Sequence, residues 1–316
     1  MLAAHESVPT EPWLRSCLYV PGTRLNWMGR AVESGTDGIV LDLEDSVATS
    51  AKEIARRDVA AFLGRAEVGS SGPHLLVRVN PWGSGLTDDD LEAVIGRRVL
   101  AILLPKVRSR ADVERLDARL AELEGARGLP VGSIVIRPML ESALGLQNVF
   151  EIAQSSPRVG YIGAGGAADS DFTRAIGYRA TDAGLETIYI RSRVLLAARA
   201  AAIPFPMTSA WFGVRDLDGL RRYANRERDL GYMGMFAIHP SHVAIANEVF
   251  GPSPVDIDRW TAIVEAVEES ARGGTSVAVV DGTMIDSGHA DFARTMLSLA
   301  ATIRPSKPAD PRVIRS

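Results

Sequence analysis

The sequence predicts an α/β fold: a (β/α)8 barrel of the TIM type followed by a C-terminal helical extension. Three observations lead there. Short apolar runs at 16–20, 38–43, 75–79, 101–104, 133–139, 159–162, 205–208 and 233–238 are rich in β-branched residues and lack strict alternation. Strands buried on both faces of a parallel sheet read this way. The intervals between runs hold enough chain for crossover helices, and several carry helical period. Eight such units in about 240 residues match the size of a barrel whose active site lies at the C-terminal mouth of its strands. A doubly wound open sheet competes, but Val20-Pro21-Gly22-Thr23-Arg24, after the first run, has one glycine and not the dinucleotide fingerprint.

In chain order, residues 1–13 read as a flexible leader and 14–250 as the barrel. Ser109-Arg110-Ala111-Asp112 is a capping-box pattern, and Val113, Leu116, Leu120 and Leu123 after it keep the spacing of a one-sided helix. Leu185, Ile188, Leu195 and Ala198 predict a second apolar face, with Ser192 as its polar interruption. Ser253-Pro254 supplies an N-cap with proline at the first helical position, ahead of the stripe Ile257, Trp260, Val264 and Val267. Residues 251–303 form the extension: that long helix, the run 277–286, and a last helix near 291–302. The Pro/Arg-rich segment 304–316 reads as a disordered tail.

A net charge of −4 over 316 residues, with 46% apolar and 23% charged residues, allows a sizeable core. It argues against nucleic-acid or anionic-membrane partners, which need a basic face, and for small ligands. No segment has the length of a membrane span, and no signal pattern opens the chain. The one cysteine, Cys17, excludes an intramolecular disulfide, points to a cytoplasmic setting, and lies in an apolar run as a small buried hydrophobe would.

If the barrel forms, residues just past each strand converge: Pro21, Thr23 and Arg24; Asp42, Glu44 and Asp45; Arg78 and Asn80; Lys106; Glu141; Asp171; Thr208 and Ser209; His239. Glu141 and Asp171 follow adjacent runs. Mg2+ takes one or two carboxylates and fills its other positions with water and substrate, so this pair suits it; ordinary helix-start acids are the alternative. Cations beside such a metal suit an anionic ligand such as a 2-oxo acid. Arg78 could clamp a carboxylate bidentately, in a way lysine does not match. Glu44 and Asp45 either cap the next helix or touch Arg78 and the metal's waters. Lys106 is a Schiff-base candidate or a charge partner for nearby acids. His239 binds substrate, orients a loop or satisfies backbone groups.

The motifs Leu14-Arg15-Ser16-Cys17-Leu18-Tyr19-Val20-Pro21-Gly22, Leu41-Asp42-Leu43-Glu44-Asp45, Val77-Arg78-Val79-Asn80, Leu104-Pro105-Lys106, Met139-Leu140-Glu141-Ser142, Asp171-Phe172, Ile238-His239-Pro240 and Gly282-Thr283-Met284-Ile285-Asp286 fall in the order of the citrate lyase β-subunit-like group. The chain resembles that group, part of the HpcH/HpaI aldolase superfamily that includes malyl-CoA and citramalyl-CoA lyases, over residues 14 to 300. The resemblance implies a (β/α)8 enzyme with Mg2+ as cofactor, a carbon–carbon lyase that joins or separates an acyl thioester and a 2-oxo acid. It implies Glu141 and Asp171 as metal ligands, and a catalytic set of Arg78, Asp286 and Glu44. Arg15, Lys106 and His239 would join Arg78 in binding substrate. Asp286 would close the site of a neighbouring subunit, which implies a homotrimer or hexamer, with the thioester on CoA or an acyl carrier. Ser170 replaces a family acid, so Asp169 rivals Asp171 as ligand, and Met235 stands where lysine is usual. A class II pyruvate-type aldolase without CoA and a non-catalytic ligand-binding or assembly subunit remain alternatives.

Overall fold

The computed structural model describes residues 11–65, 72–164 and 171–303, with Asp171 placed by its backbone alone. Its elements are β1 (Ser16–Pro21), α1 (Leu25–Val32), β2 (Gly38–Asp42), α2 (Lys52–Leu63), β3 (His74–Arg78), α3 (Thr87–Val94), β4 (Val99–Leu104), α4 (Arg110–Ala126) and β5 (Val135–Pro138). The short helices α5 (Ala143–Gln147), α6 (Val149–Ala153) and α7 (Asp171–Ile176) lead to α8 (Ile188–Ala200) and β6 (Met207–Thr208). Then come α9 (Leu217–Leu230), β7 (Gly234–Ala237), α10 (Pro240–Phe250), α11 (Pro254–Arg272), β8 (Val277–Val280), β9 (Thr283–Asp286) and α12 (Ser287–Thr302).

Strands β1 to β7 form one curled parallel sheet in the order β5-β4-β3-β2-β1-β7-β6. Successive residues point to opposite faces of a strand, and here both faces are apolar. Leu18, Ile39, Leu41, Val77 and Ile102 pack under the helices. Cys17, Val40, Leu76, Ala101, Leu103, Tyr161 and Phe236 fill the inside of the curl. That double burial is why the runs read as continuous apolar stretches.

The sheet has seven strands, one short of the eight expected. The run at 159–162 contributes a single bridge, Val159 to Ile136, and one hydrogen bond, from Met207 N–H to the Ile162 carbonyl at 3.1 Å. Glycines at 160 and 163 flank its centre, and a strand interrupted by glycine loses both side-chain packing and conformational restriction. The segment nonetheless spans the gap between the edge strands β5 and β6.

The helices follow their sequence signals with one exception. In α4 the Asp112 carboxylate accepts from Ser109 N–H at 2.9 Å, and Val113, Leu116, Leu120 and Leu123 are buried as expected. Around α8 the expected face is kept in part: Leu195 and Ala198 are buried, whereas Leu185, just before the helix, and Ile188 are 69% and 41% exposed, and Arg191 and Val194 are buried in their place. Arg191 points inward to pair with the buried Glu227 of α9.

One domain boundary also shifts. Residues 12 and 13 belong to the packed unit and not to a flexible leader: Trp13 Nε1 donates to the Met233 carbonyl at 2.7 Å, and Tyr161 donates to the Pro12 carbonyl at 2.8 Å. The extension holds an antiparallel hairpin, β8–β9, where one run was expected. Asp281 and Gly282 both take positive φ, +50° and +74°, as a two-residue hairpin turn demands. The expected tail, 304–316, lies outside the described residues, as do residues 1–10 of the leader.

Gly163 gives a test of the seam. A Cβ there would lie 1.6 Å from the Met207 carbonyl oxygen, so Gly163→Ala must push β6 away. Urea unfolding is expected to show a loss of at least about 1–3 kcal/mol, the usual cost of overpacking.

Candidate active site

The C-terminal ends of the strands surround a cavity of about 630 Å³, a size suited to a small ligand. Its acids are Asp42, Asp45 and Glu141; its cations are Arg30, Arg78, Arg137 and Arg174; Tyr19, Phe172, Phe212 and Phe236 supply aromatic walls. The register explains part of this set. Pro21, Asp42, Arg78, Leu103 and Arg137 stand in one row across β1 to β5. Asp42, Arg78 and Arg137 have the parity of Val40, Leu76 and Val135, the residues of those strands that face into the curl.

Arg78 is the most fully engaged group. Its Nε and Nη2 donate to the two oxygens of Asp42, both at 2.7 Å. Its Nη1 lies 3.1 Å from Glu44 and 3.6 Å from Asp45, and its guanidinium sits 4.9 Å from the centre of the Tyr19 ring. Burial opposes the Arg78 charge, but Tyr19, Asp42 and Glu44 outweigh it and hold the pKa above the ordinary guanidinium value. Burial likewise pushes the Asp42 carboxyl up, and hydrogen bonds from Arg78, Ser46 and the Glu44 N–H bring it below the usual carboxylate range.

Glu44 does not line the cavity. It is 3% exposed and lies between Arg78 and Lys106, whose Nζ is 3.0 Å away. Burial raises its pKa against the pull of both cations. Glu44, expected in the catalytic set, lies behind the cavity wall in contact with two cations, Arg78 and Lys106. Lys106 has the charge-partner role: its hydrogen bond to Glu44 raises its pKa, the opposite of what a Schiff-base lysine needs. The Lys106 backbone takes a positive φ of 59°, and its N–H donates to Glu141 Oε2 at 3.0 Å.

His239 lines the cavity and caps α10, its Nδ1 accepting from Ser241 N–H at 3.2 Å. Burial lowers its pKa, so the ring is neutral at pH 7 with its proton on Nε2.

Other expected members lie elsewhere. Arg15, expected to bind substrate, sits at the opposite end of β1, where Nε and Nη2 form a bidentate pair with Asp37 at 2.8 Å. It precedes the strand, and the substrate-facing ends are those that follow it. Asn80 turns away from the mouth to Asp90 Oδ2 at 2.6 Å. Arg24 stacks on Trp27, and Thr208 faces α9, leaving Ser209 in the cavity. Asp286 is exposed at the end of the hairpin and caps α12 through His289. Asp171 opens α7 beside the cavity-lining Phe172, but its side chain, like Asp169, lies outside the described residues.

Arg137, Arg30 and Arg174 were given no role from sequence. Arg137 carried a signal: a cation inside the apolar run Ile134-Val135-Ile136-Arg137-Pro138 is costly unless it serves a site. Arg30 and Arg174 sit on helices, where an arginine is unremarkable. Cys17 is buried as expected, and burial pushes its thiol pKa up.

A curled parallel α/β sheet with guanidinium groups and acids around a cavity at its C-terminal mouth suits an enzyme acting on a small anionic ligand. The comparisons agree: residues 15–240 match the model of the HpcH/HpaI aldolase/citrate lyase family, and the chain belongs to that family. It is 35% identical over 293 residues to a citrate lyase subunit beta-like protein of Deinococcus radiodurans, covering 90% of this chain and 96% of the relative. It is 35% identical over 306 residues to a (3S)-malyl-CoA thioesterase of Cereibacter sphaeroides, covering 95% and 98%. Among solved structures it is similar to the protein CitE of Mycobacterium tuberculosis in complex with magnesium, acetoacetate and coenzyme A. There the TM-score is 0.66, with 26% identity over 90% of this chain and 97% of that one.

The Asp42–Arg78 pair sets a stability prediction. Asp42 has a depressed folded pKa, so its contribution is full above the unfolded value of about 3.9 and is lost as pH falls through the lower folded value. Asp42→Asn is expected to destabilise by about 3–5 kcal/mol at pH 7, since it removes the charge of one partner from a buried bidentate pair. Acid titrations of unfolding should show the difference between wild type and variant closing below about pH 4.

Proposed function

We propose that this protein is a Mg2+-dependent carbon–carbon lyase acting on a 3-hydroxyacyl thioester such as malyl-CoA, citramalyl-CoA or citryl-CoA. The products are an acyl thioester and a 2-oxo acid, or the reverse. One observation carries the reading: Arg78, oriented by Asp42 and Glu44, lines the same cavity as Glu141. The magnesium and coenzyme A bound by the M. tuberculosis relative support it, as do the names of the two sequence relatives.

The donor chemistry fits a hard cation. Glu141 offers a carboxylate to the cavity, and Asp171, next to the cavity-lining Phe172, would be the second. When bound there, magnesium would act as a Lewis acid on the carbonyl oxygen of the oxo acid. The chain's own groups do the rest. Arg78 receives the carboxylate or enolate oxygen and needs no reorganisation to do so, because two acids already fix it. Arg30 and Arg174 give the lining positive charge suited to the phosphates of a CoA-type carrier.

Asp286 is the group for the proton at the thioester α-carbon. Its hydrogen bond to His289 lowers its pKa, so it is ionised and can accept that proton. It does not line its own chain's cavity. The hairpin that carries it exposes Val277, Val279 and Met284, an apolar edge suited to a neighbouring subunit. In this reading the enzyme is a homotrimer or hexamer in the cytoplasm, and the 159–162 segment is the eighth stave of a closed barrel.

Incubation with malyl, citramalyl, methylmalyl and citryl thioesters and Mg2+ tests the reaction, with 2-oxo acid and free CoA measured separately so that hydrolysis is distinguished from cleavage. Arg78→Ala and Glu141→Gln should fold and lose at least about a hundredfold in turnover, the scale for one preorganised charge-stabilising group. Near-wild-type rates in either refute the assignment. Subunit sharing has its own test: Arg78→Ala and Asp286→Asn, each inactive alone, should regain activity when co-assembled, with roughly a quarter of sites intact on random mixing. No recovery in confirmed mixed oligomers rules out a shared site.

A further inference from the structure

We propose that Arg137 forms an anion subsite on the cavity floor that receives the second carboxylate of a 2-oxo dicarboxylic acid. The inference rests on the lyase reading above and narrows its substrate class.

Two arginines share one row of the sheet and face the same cavity, yet their surroundings are opposite. Arg78 on β3 has Asp42, Glu44 and Asp45 around it. Arg137 on β5, with Leu103 of β4 between them in register, has no carboxylate partner among the described residues. It is 4% exposed. Its Nη2 reaches the Met207 carbonyl at 3.4 Å, a long bond, and its plane lies 4.2 Å from the centre of the Phe236 ring. Nε and Nη1 are buried without a hydrogen-bond partner.

The ionisable groups acting on Arg137 most, after burial itself, are Tyr19, Cys17, Tyr161 and Tyr232. Burial pushes the pKa of each of these up, so all four are neutral at pH 7. Burial pushes Arg137 down to about 10, which still leaves it charged. The floor therefore holds a full positive charge with unused donors, facing a cavity.

An uncompensated buried cation is expensive, and an apolar side chain of similar length would fill the space at less cost. A purely structural role explains neither the missing counter-charge nor the unused donors. An anionic ligand group explains both: it supplies the charge and accepts the free N–H groups in a charge-assisted pair. Arg78 is placed for the oxo-acid end, so the group reaching Arg137 is a carboxylate at the other end of the same molecule. A monocarboxylic oxo acid would leave Arg137 unpaired, and discrimination by a buried group left without its partner is strong.

The full-length protein with Mg2+ is titrated calorimetrically with oxaloacetate and with 2-oxobutanoate, which differ by a carboxylate in place of a methyl group. Wild type is expected to prefer oxaloacetate by at least about thirtyfold, the scale of one charged hydrogen-bonded contact. Arg137→Met should bring that ratio near one while leaving 2-oxobutanoate binding unchanged within a few-fold, and Arg137→Lys should fall between. Equal binding of the two acids by wild type, or equal weakening of both in Arg137→Met, overturns the subsite while leaving the lyase reading intact. Binding of neither acid to wild type overturns both.

Thermal melting gives a readout independent of turnover. Ligand-free Arg137→Met is expected to melt above wild type, because the unpaired buried charge is gone, and oxaloacetate should raise the melting temperature of wild type more than that of the variant. A variant that melts lower marks Arg137 as a structural cation and refutes the proposal.

Discussion

The bidentate contact between Asp42 and Arg78 is the interaction on which the rest of the site depends. Both residues end neighbouring strands in register, so the sheet itself brings them together. Asp42 is 1% exposed, and its carboxylate also accepts from Glu44 N–H and from Ser46. A buried acid in this position is tolerable because its lone pairs are filled. In return Arg78 is held in one orientation under Tyr19, and the loop after β2 is folded back so that Glu44 meets Lys106. Lys106 in turn presents its backbone N–H to Glu141, the carboxylate at the end of β5. The chain of contacts from β2 to β5 is thus short and continuous, and each member fixes the next.

Charge is distributed unevenly along that row. Toward β2 and β3 the acids Asp42, Glu44 and Asp45 surround one guanidinium, while toward β5 a second guanidinium has no carboxylate partner among the described residues. Such an arrangement leaves one side of the cavity electrostatically complete and the other demanding an anion. Preorganised charge of this kind is effective because the protein has already met the cost of orienting it.

Much of the fold was legible because periodicity reports burial. The doubly buried strands β1 to β5 and β7 showed as unbroken apolar runs, and α4 showed through Ser109, Asp112 and its leucine stripe. The seventh and sixth runs were less faithful. β6 is two residues long, and the 159–162 segment holds its place through one bridge and one hydrogen bond, features that glycine content hints at but periodicity does not measure. On α8, Leu195 and Ala198 are buried as expected, but Arg191 is buried too, by a partner 36 residues away, and no local pattern anticipates a buried ion pair. The hairpin turn at Asp281-Gly282 did carry a local signal.

The sequence by itself determined that an apolar parallel sheet forms and that Asp42, Arg78 and Glu141 end its strands, because strand boundaries and side-chain parity are local properties. Tertiary structure decided which polar groups share a cavity and with what charge. Arg15, Asn80 and Glu44 look like site residues in one dimension, yet strand direction sends Arg15 to the far end, while buried partners claim Asn80 and Glu44. Arg137 looks like part of a motif, yet the curl of the sheet leaves it facing the cavity without a counter-charge among the described residues. Pairing between residues distant in sequence depends on how the sheet closes, and that information exists only once the chain has folded.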